Sequence, residues 1–97
     1  MKRVSVGIGE MKISNSADEV LVAIGLGSCI GLALYEPKAR IACLVHIMLP
    51  QASKPVPDFR YADQAVPAAV EALCRRGACR SRIVAAIAGG AAMFSFG

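Results

Sequence analysis

The stretch Ser28-Cys29-Ile30-Gly31-Leu32-Ala33-Leu34-Tyr35, then Glu36-Pro37-Lys38-Ala39-Arg40, then Ile41-Ala42-Cys43-Leu44-Val45-His46-Ile47-Met48-Leu49 decides the fold. Two apolar runs flank a segment of turn composition. Runs of this length around a proline-bearing turn predict two strands of a hairpin. The simplest register sets Tyr35 opposite Arg40 and Cys29 opposite His46. Directly opposed residues share a sheet face, with Cβ atoms about 5 Å apart. A slip by one residue sends the two side chains to opposite faces. A meeting of Cys29 with His46 therefore requires this parity, or a bulge that restores it.

Upstream, Val4 to Ile13 alternates apolar residues with glycines and reads as a strand. Asn15-Ser16-Ala17-Asp18 reads as a turn, and Val20 to Ile24 as a short buried strand. Gly25 and Gly27 permit a tight path into Cys29. Downstream, Pro50 ends the second hairpin strand, and Gln51 to Pro57 reads as an exposed loop. Residues 58–76 look helical, with Ala62, Val66, Ala69, Val70 and Leu73 at helical spacing. Asp58 or Asp63 is a candidate cap. Pro67 implies that the regular helix starts shortly before it, or kinks there. Gly77 is a natural C-terminal stop. Ile83 to Ala88 reads as a central strand, broken by Gly89-Gly90. Strands with one helix give an α/β fold class, with a mixed or antiparallel sheet and a flanking helix.

The chain of 97 residues suits one small domain, 1–97. No apolar run is long enough to span a bilayer. Met1-Lys2-Arg3 has the look of a signal n-region, but Val4 to Glu10 is too short and polar for an h-region. A cytoplasmic protein is expected, with its four cysteines reduced. No Cys-x-x-Cys pair occurs, and one histidine is too few for a zinc cluster, so no metal is expected. The net charge of +4 owes much to Arg75, Arg76, Arg80 and Arg82. These surround one helix end, where cations complement the dipole. No aromatic residues interleave with them, which argues against nucleic acid.

Cys29 stands out among the cysteines. It follows Gly25-Leu26-Gly27-Ser28, a turn that exposes a nucleophile and aims backbone N–H groups toward a developing oxyanion. Cys43 and Cys74 read as small buried hydrophobes. A thiol needs a base to act as a nucleophile at neutral pH, and His46 is the only histidine. A lone histidine in an apolar strand is ordinarily a core residue. It becomes a base when one ring nitrogen faces the thiol and an acceptor orients the other. Gly89-Gly90 lacks the Lys-Ser/Thr of a phosphate loop and reads as a packing turn. Met48 and Met93 read as core fillers.

Several motifs occur together in order: Gly7-Ile8-Gly9-Glu10, Gly25-Leu26-Gly27-Ser28-Cys29, Tyr35-Glu36-Pro37, His46-Ile47-Met48-Leu49-Pro50, Arg60-Tyr61-Ala62-Asp63 and Ala88-Gly89-Gly90-Ala91-Ala92-Met93-Phe94. Across essentially the whole chain they resemble the CheD family of bacterial chemoreceptor glutamine deamidases. The resemblance implies an α/β sandwich related to the cytotoxic necrotizing factor deamidases. It implies hydrolysis of glutamine side chains on methyl-accepting chemotaxis receptors, with release of ammonia. Cys29 would be the nucleophile and His46 the base. Gly27 and Ser28 would contribute to the oxyanion and substrate site. No metal or organic cofactor is implied. The CheC phosphatase is an implied partner in some species.

Two departures follow from the same resemblance. Some members use a threonine six residues before the cysteine as a third catalytic residue, and that position is Ala23. His46 would then need another acceptor, such as a backbone carbonyl. The family also normally continues beyond the Gly-Gly-Ala-x-Met-Phe motif. Without that part, open strand edges, self-association and a weakly active binding protein for receptors or CheC become the alternative expectation.

Overall fold

A computed structural model describes residues 1–49 and 56–90. Strands β1 (Lys2–Ser5), β2 (Met11–Ser14), β3 (Glu19–Val22), β4 (Ile30–Glu36) and β5 (Ile41–Ile47) precede helix α1 (Ala62–Arg75). A short 3₁₀ turn (Arg80–Arg82) and strand β6 (Val84–Gly89) follow. The α/β class is as expected. β2, β5, β4 and β6 form one sheet in that order, and β1 pairs in parallel with β3 in a second, two-stranded sheet.

The hairpin β4–β5 is antiparallel, with Gly31 opposite His46 and Glu36 opposite Ile41. Its parity is the expected one, but the register is shifted by two residues from the simplest pairing. The turn is shorter than the composition suggested, because Glu36 stays in β4 and only 37–40 turn. Arg40 takes the left-handed conformation there, with φ 54°.

This register sorts the side chains by face. Leu32 and Leu34 of β4 join Ile41, Cys43, Val45 and Ile47 of β5 in the buried core. Ala65, Ala69 and Leu73 of α1 cover them, four residues apart on one helix face. The small alanines let the helix approach the sheet closely. Ala65, rather than the expected Val66, carries the stripe, and Val66 is exposed. His46 points to the opposite face, toward the β1–β3 pair. The helix is capped at Tyr61 without a side-chain hydrogen bond. Asp58, an expected cap, is instead engaged by Arg60, while Asp63 lies in the first turn, where a negative charge suits the dipole. At the other end Gly77 has φ 100°, its N–H donates to the Cys74 carbonyl, and the Ala78 N–H donates to Leu73. This double-bonded left-handed stop is the one expected at Gly77.

Three further expectations are corrected. Val4 to Ile13 is not one strand, because Gly7 to Glu10 forms a tight turn closed by the Glu10 N–H on the Gly7 carbonyl. β6 is not central. It pairs only with β4 among the described residues, and Val84 and Ile87 are 60% and 71% exposed. Its apolar composition suggested burial, but no described layer covers it. Met48 is exposed rather than a core filler. Met93, residues 91–94 of the glycine motif, and Pro50 with 51–55 of the expected loop lie outside the described residues.

One polar pin ties the hairpin to the segment before β6. Glu36 is fully buried, and its carboxylate accepts from the Lys38, Ala39 and Cys79 backbone N–H groups and from two Arg82 nitrogens. Arg82 is therefore a structural partner, not merely one cation of a solvated cluster. The Arg82 guanidinium, with help from the backbone donors and against the effect of burial, lowers the Glu36 pKa to about 2. The folded state thus holds this carboxylate ionised more firmly than the unfolded chain does. Its stabilisation is complete above the ordinary carboxylate range, fades below about pH 4.5, and is lost as pH falls through about 2.

Two outcomes follow. Leu73→Ala should lower stability by about 3 kcal/mol in chemical denaturation, because the cavity opens under a side chain with no exposed surface. Glu36→Gln should flatten the acid limb of stability against pH between about pH 4.5 and pH 2, measured by urea midpoints at each pH. An unchanged acid limb would contradict the role given to the Glu36–Arg82 pair.

Candidate functional site

The site is built at the end of β4 that lies farthest from the hairpin turn. Gly25 and Gly27 both take left-handed φ, 68° and 53°, so the expected tight path is present. The Cys29 N–H donates to the Leu26 carbonyl at 2.7 Å, closing the turn that delivers the cysteine. On the other side the Gly90 N–H donates to the Cys29 carbonyl at 2.8 Å. That bond extends the β4–β6 ladder by one step to Cys29, a bend residue just before β4, and the same alternation carried one step further would set its side chain on the face of Gly31.

Gly31 sits opposite His46. On that alternation Cys29 and His46 are diagonal neighbours on one face, a relation that puts α-carbons at about 7 Å. They are not directly opposed, as the simplest register had it. Both are buried, with relative exposures of 8% and 2%. The two side chains are not hydrogen-bonded in this state.

His46 is fixed from three directions. Its backbone N–H donates to the Glu10 carbonyl, and its carbonyl accepts from Gly9. Its ring Nδ1 lies 3.1 Å from the Val6 carbonyl oxygen. A carbonyl can only accept, so the proton of the neutral ring resides on Nδ1. Nε2 is then a lone-pair acceptor. It is buried and has no hydrogen-bond partner among the described residues. A buried polar atom without a partner is costly and asks for an explanation, of which a catalytic role is one; Gln64 Oε1 is in the same position.

Two glycine positions buttress this arrangement. A Cβ on Gly89 would collide with the Cys29 carbonyl oxygen and press on Leu26, and Gly89 has φ 94°. The expected packing turn at Gly89-Gly90 is instead the end of β6: Gly89 pairs with Ile30 and packs against the backbone of Cys29, to which Gly90 donates. The signal was the doubled glycine, but only the sheet order brings it to Cys29. Gly9 behaves similarly. A Cβ there would come within 2.9 Å of Asp58, and the Gly9 carbonyl accepts from Phe59. Arg60 holds Asp58 through a fork of hydrogen bonds and, above all by that contact, keeps its carboxyl below the usual range.

Beside the cysteine turn a cavity of about 370 Å³ opens, lined by Ser28, Ile30, Ile47, Met48, Leu49 and Gly90. A larger cavity of about 740 Å³, bordered by Ser14, Tyr35 and Arg40, lies at the hairpin end of the sheet, away from Cys29 and His46. Neither Cys29 nor His46 is among the residues lining either cavity. Ala23 is half-buried just after β3 and carries no hydroxyl. Of the other thiols, burial pushes Cys43 up to about 11, and the Ser81 hydroxyl lowers Cys79. Cys74 is half-buried, less enclosed than expected. Among the described residues no group of three or more His, Cys, Asp or Glu is placed to hold a metal, and no helix is long and apolar enough to cross a membrane.

The family model described as CheD chemotactic sensory transduction matches residues 48–97. The chain belongs to the CheD family. Among its CheD relatives, a protein of Symbiobacterium thermophilum is 52% identical over 93 residues, covering 92% of this chain and 56% of the relative. One from Archaeoglobus fulgidus is 51% identical over 90 residues, with the same coverage of 92% and 56%. One from Clostridium botulinum is 41% identical over 99 residues, covering 99% of this chain and 60% of the relative. All three are named probable chemoreceptor glutamine deamidase CheD. The chain therefore spans a little over half the length of these CheD proteins.

The buttress at Gly89 has a direct consequence. Gly89→Ala should destabilise the fold and expose Cys29 to alkylation. Gly25→Ala, whose Cβ would meet nothing within 4 Å, should cost only the strain of a left-handed alanine, about 1 kcal/mol. Thermal melts and peptide mapping after iodoacetamide compare the two. Equal effects would contradict the buttressing role.

Proposed function

We propose that this chain carries the catalytic half of a CheD-type deamidase, hydrolysing protein-bound glutamine to glutamate through Cys29 and His46. The observation that carries the reading is the buried Nε2 of His46, unpartnered among the described residues, two positions along the ladder from the turn that delivers Cys29. The names of the relatives, chemoreceptor glutamine deamidases, support the same chemistry. The substrate proposed is a glutamine side chain of a methyl-accepting chemotaxis receptor. A further proposal is that the whole protein completes the sandwich seen in the cytotoxic necrotizing factor deamidases.

The steps follow from the groups in place. Nε2 takes the Cys29 proton, and the thiolate attacks the glutamine amide carbon. The oxyanion forms near the turn. The Cys29 N–H is already committed to Leu26, so stabilisation falls to the Gly27 and Ser28 amides. The imidazolium returns its proton to the departing ammonia, leaving a thioester. Water, deprotonated by Nε2, hydrolyses it and restores the thiol. No step calls for a metal or an organic cofactor.

CheC binding and self-association through the β6 edge, unpaired among the described residues, belong to the same proposal as partner relations. The competing reading is a CheD-like protein that binds receptors or CheC with little turnover, which Ala23 favours.

Mass spectrometry of a receptor cytoplasmic fragment after incubation separates the two. Deamidation adds about 1 Da per glutamine, since an amide becomes an acid. The gain is expected with the unaltered chain and absent with Cys29→Ala. His46→Ala should reduce it by at least about 100-fold, the scale of general-base catalysis. No gain from a folded sample would favour the binding protein.

A further inference from the structure

The ring of His46 is oriented by main chain, not by a side chain. Its Nδ1 bonds the Val6 carbonyl at 3.1 Å, across a sequence separation of 40 residues. That carbonyl is itself held. Val6 is 2% exposed, and its N–H donates to the Val22 carbonyl at 2.8 Å, extending the parallel β1–β3 register by one residue. The next residue is held as well, because the Gly7 N–H donates to Glu10 Oε1 at 2.6 Å. Both peptide groups flanking the Val6 α-carbon are thus constrained. Val22 immediately precedes Ala23, so the strand that lacks a hydroxyl at its end is the one that clamps the acceptor.

We infer that Val6 is a positioning residue for His46: its carbonyl, clamped between β3 and the Gly7–Glu10 turn, fixes the ring and keeps the proton on Nδ1, so that Nε2 faces Cys29 as a base. This rests on the reading of Cys29 and His46 as nucleophile and base. It makes the two-stranded β1–β3 sheet part of the catalytic apparatus. A histidine whose Nδ1 lacked this acceptor would exchange tautomers, and the Nε2–H form cannot accept the thiol proton.

The first test reads the tautomer without any substitution. Long-range ¹H–¹⁵N correlation spectra of the full chain should show His46 Nδ1 protonated and pyrrole-like, and Nε2 pyridine-like. The opposite tautomer would overturn the inference. The second test weakens the acceptor alone. Native chemical ligation at the Ser28–Cys29 junction joins a synthetic 1–28 segment to residues 29–97 and restores the full chain. A thioamide at Val6 replaces the carbonyl oxygen by sulfur, a poorer acceptor, while keeping every side chain. Cys29 alkylation by iodoacetamide at pH 7 should slow roughly threefold to tenfold, the worth of one hydrogen bond. A thioamide at Asn15, in the exposed turn before β3, should leave the rate unchanged. Equal rates for the Val6 and Asn15 thioamides would overturn the inference. Retention of deamidation by Cys29→Ala would instead sink the nucleophile reading, and the tautomer spectrum would still judge Val6 by itself.

Discussion

The antiparallel ladder between β4 and β5, with Gly31 opposite His46, is the constraint on which the rest of the molecule depends. It assigns each side chain of both strands to one of two faces. One face receives the Leu, Ile, Val and Cys43 side chains that α1 covers with Ala65, Ala69 and Leu73. The other receives His46, over which the end of β1 closes. Shifted by a single residue, the same ladder would bury His46 beneath the helix and turn the aliphatic side chains toward β1 and β3. Core and site are therefore specified by the same set of backbone hydrogen bonds.

Around this ladder the chain uses polar backbone contacts where a larger protein would use area. A domain of this size buries a modest share of its surface. Glu36 spends its whole carboxylate on tying the turn to Cys79 and Arg82. Gly9 links β5 to Phe59, and Gly90 links β6 to Cys29. Both seams need glycine because the backbone there is left-handed, with φ 77° at Gly9 and 76° at Gly90. The result is a cysteine turn braced by β6 on one side and a histidine braced by the β1–β2 turn on the other.

Much of this was legible in the sequence, and the limits are physical. The hairpin could be read because its two apolar runs and its turn are local. Its parity could be read because only one parity brings Cys29 and His46 to a common face. The absolute register could not, since Glu36 looks like a turn residue until Arg82, 46 positions away, is seen to bury it. The stop at Gly77 was readable from one residue, because left-handed backbone at a helix end strongly favours glycine. The start of α1 was not, because Arg60 draws Asp58 away from the cap. β6 misled for a different reason. Its apolar run describes what the strand is made for, while burial depends on what lies over it. At the site, Cys29 and His46 were visible as residue types, but the Val6 carbonyl was not, since a backbone oxygen leaves no mark in a sequence.

The central claim is that His46, through a free Nε2, activates Cys29. The most direct measurement is the rate of Cys29 carbamidomethylation at pH 7, resolved by peptide mapping from Cys43, Cys74 and Cys79, in the unaltered chain and in His46→Asn. Resolution by site is necessary because Ser81 also favours the thiolate of Cys79. The account predicts that Cys29 labelling slows by at least about tenfold in His46→Asn while Cys79 labelling is unchanged, as expected when a thiolate loses its base. Equal Cys29 rates in two folded samples would contradict it.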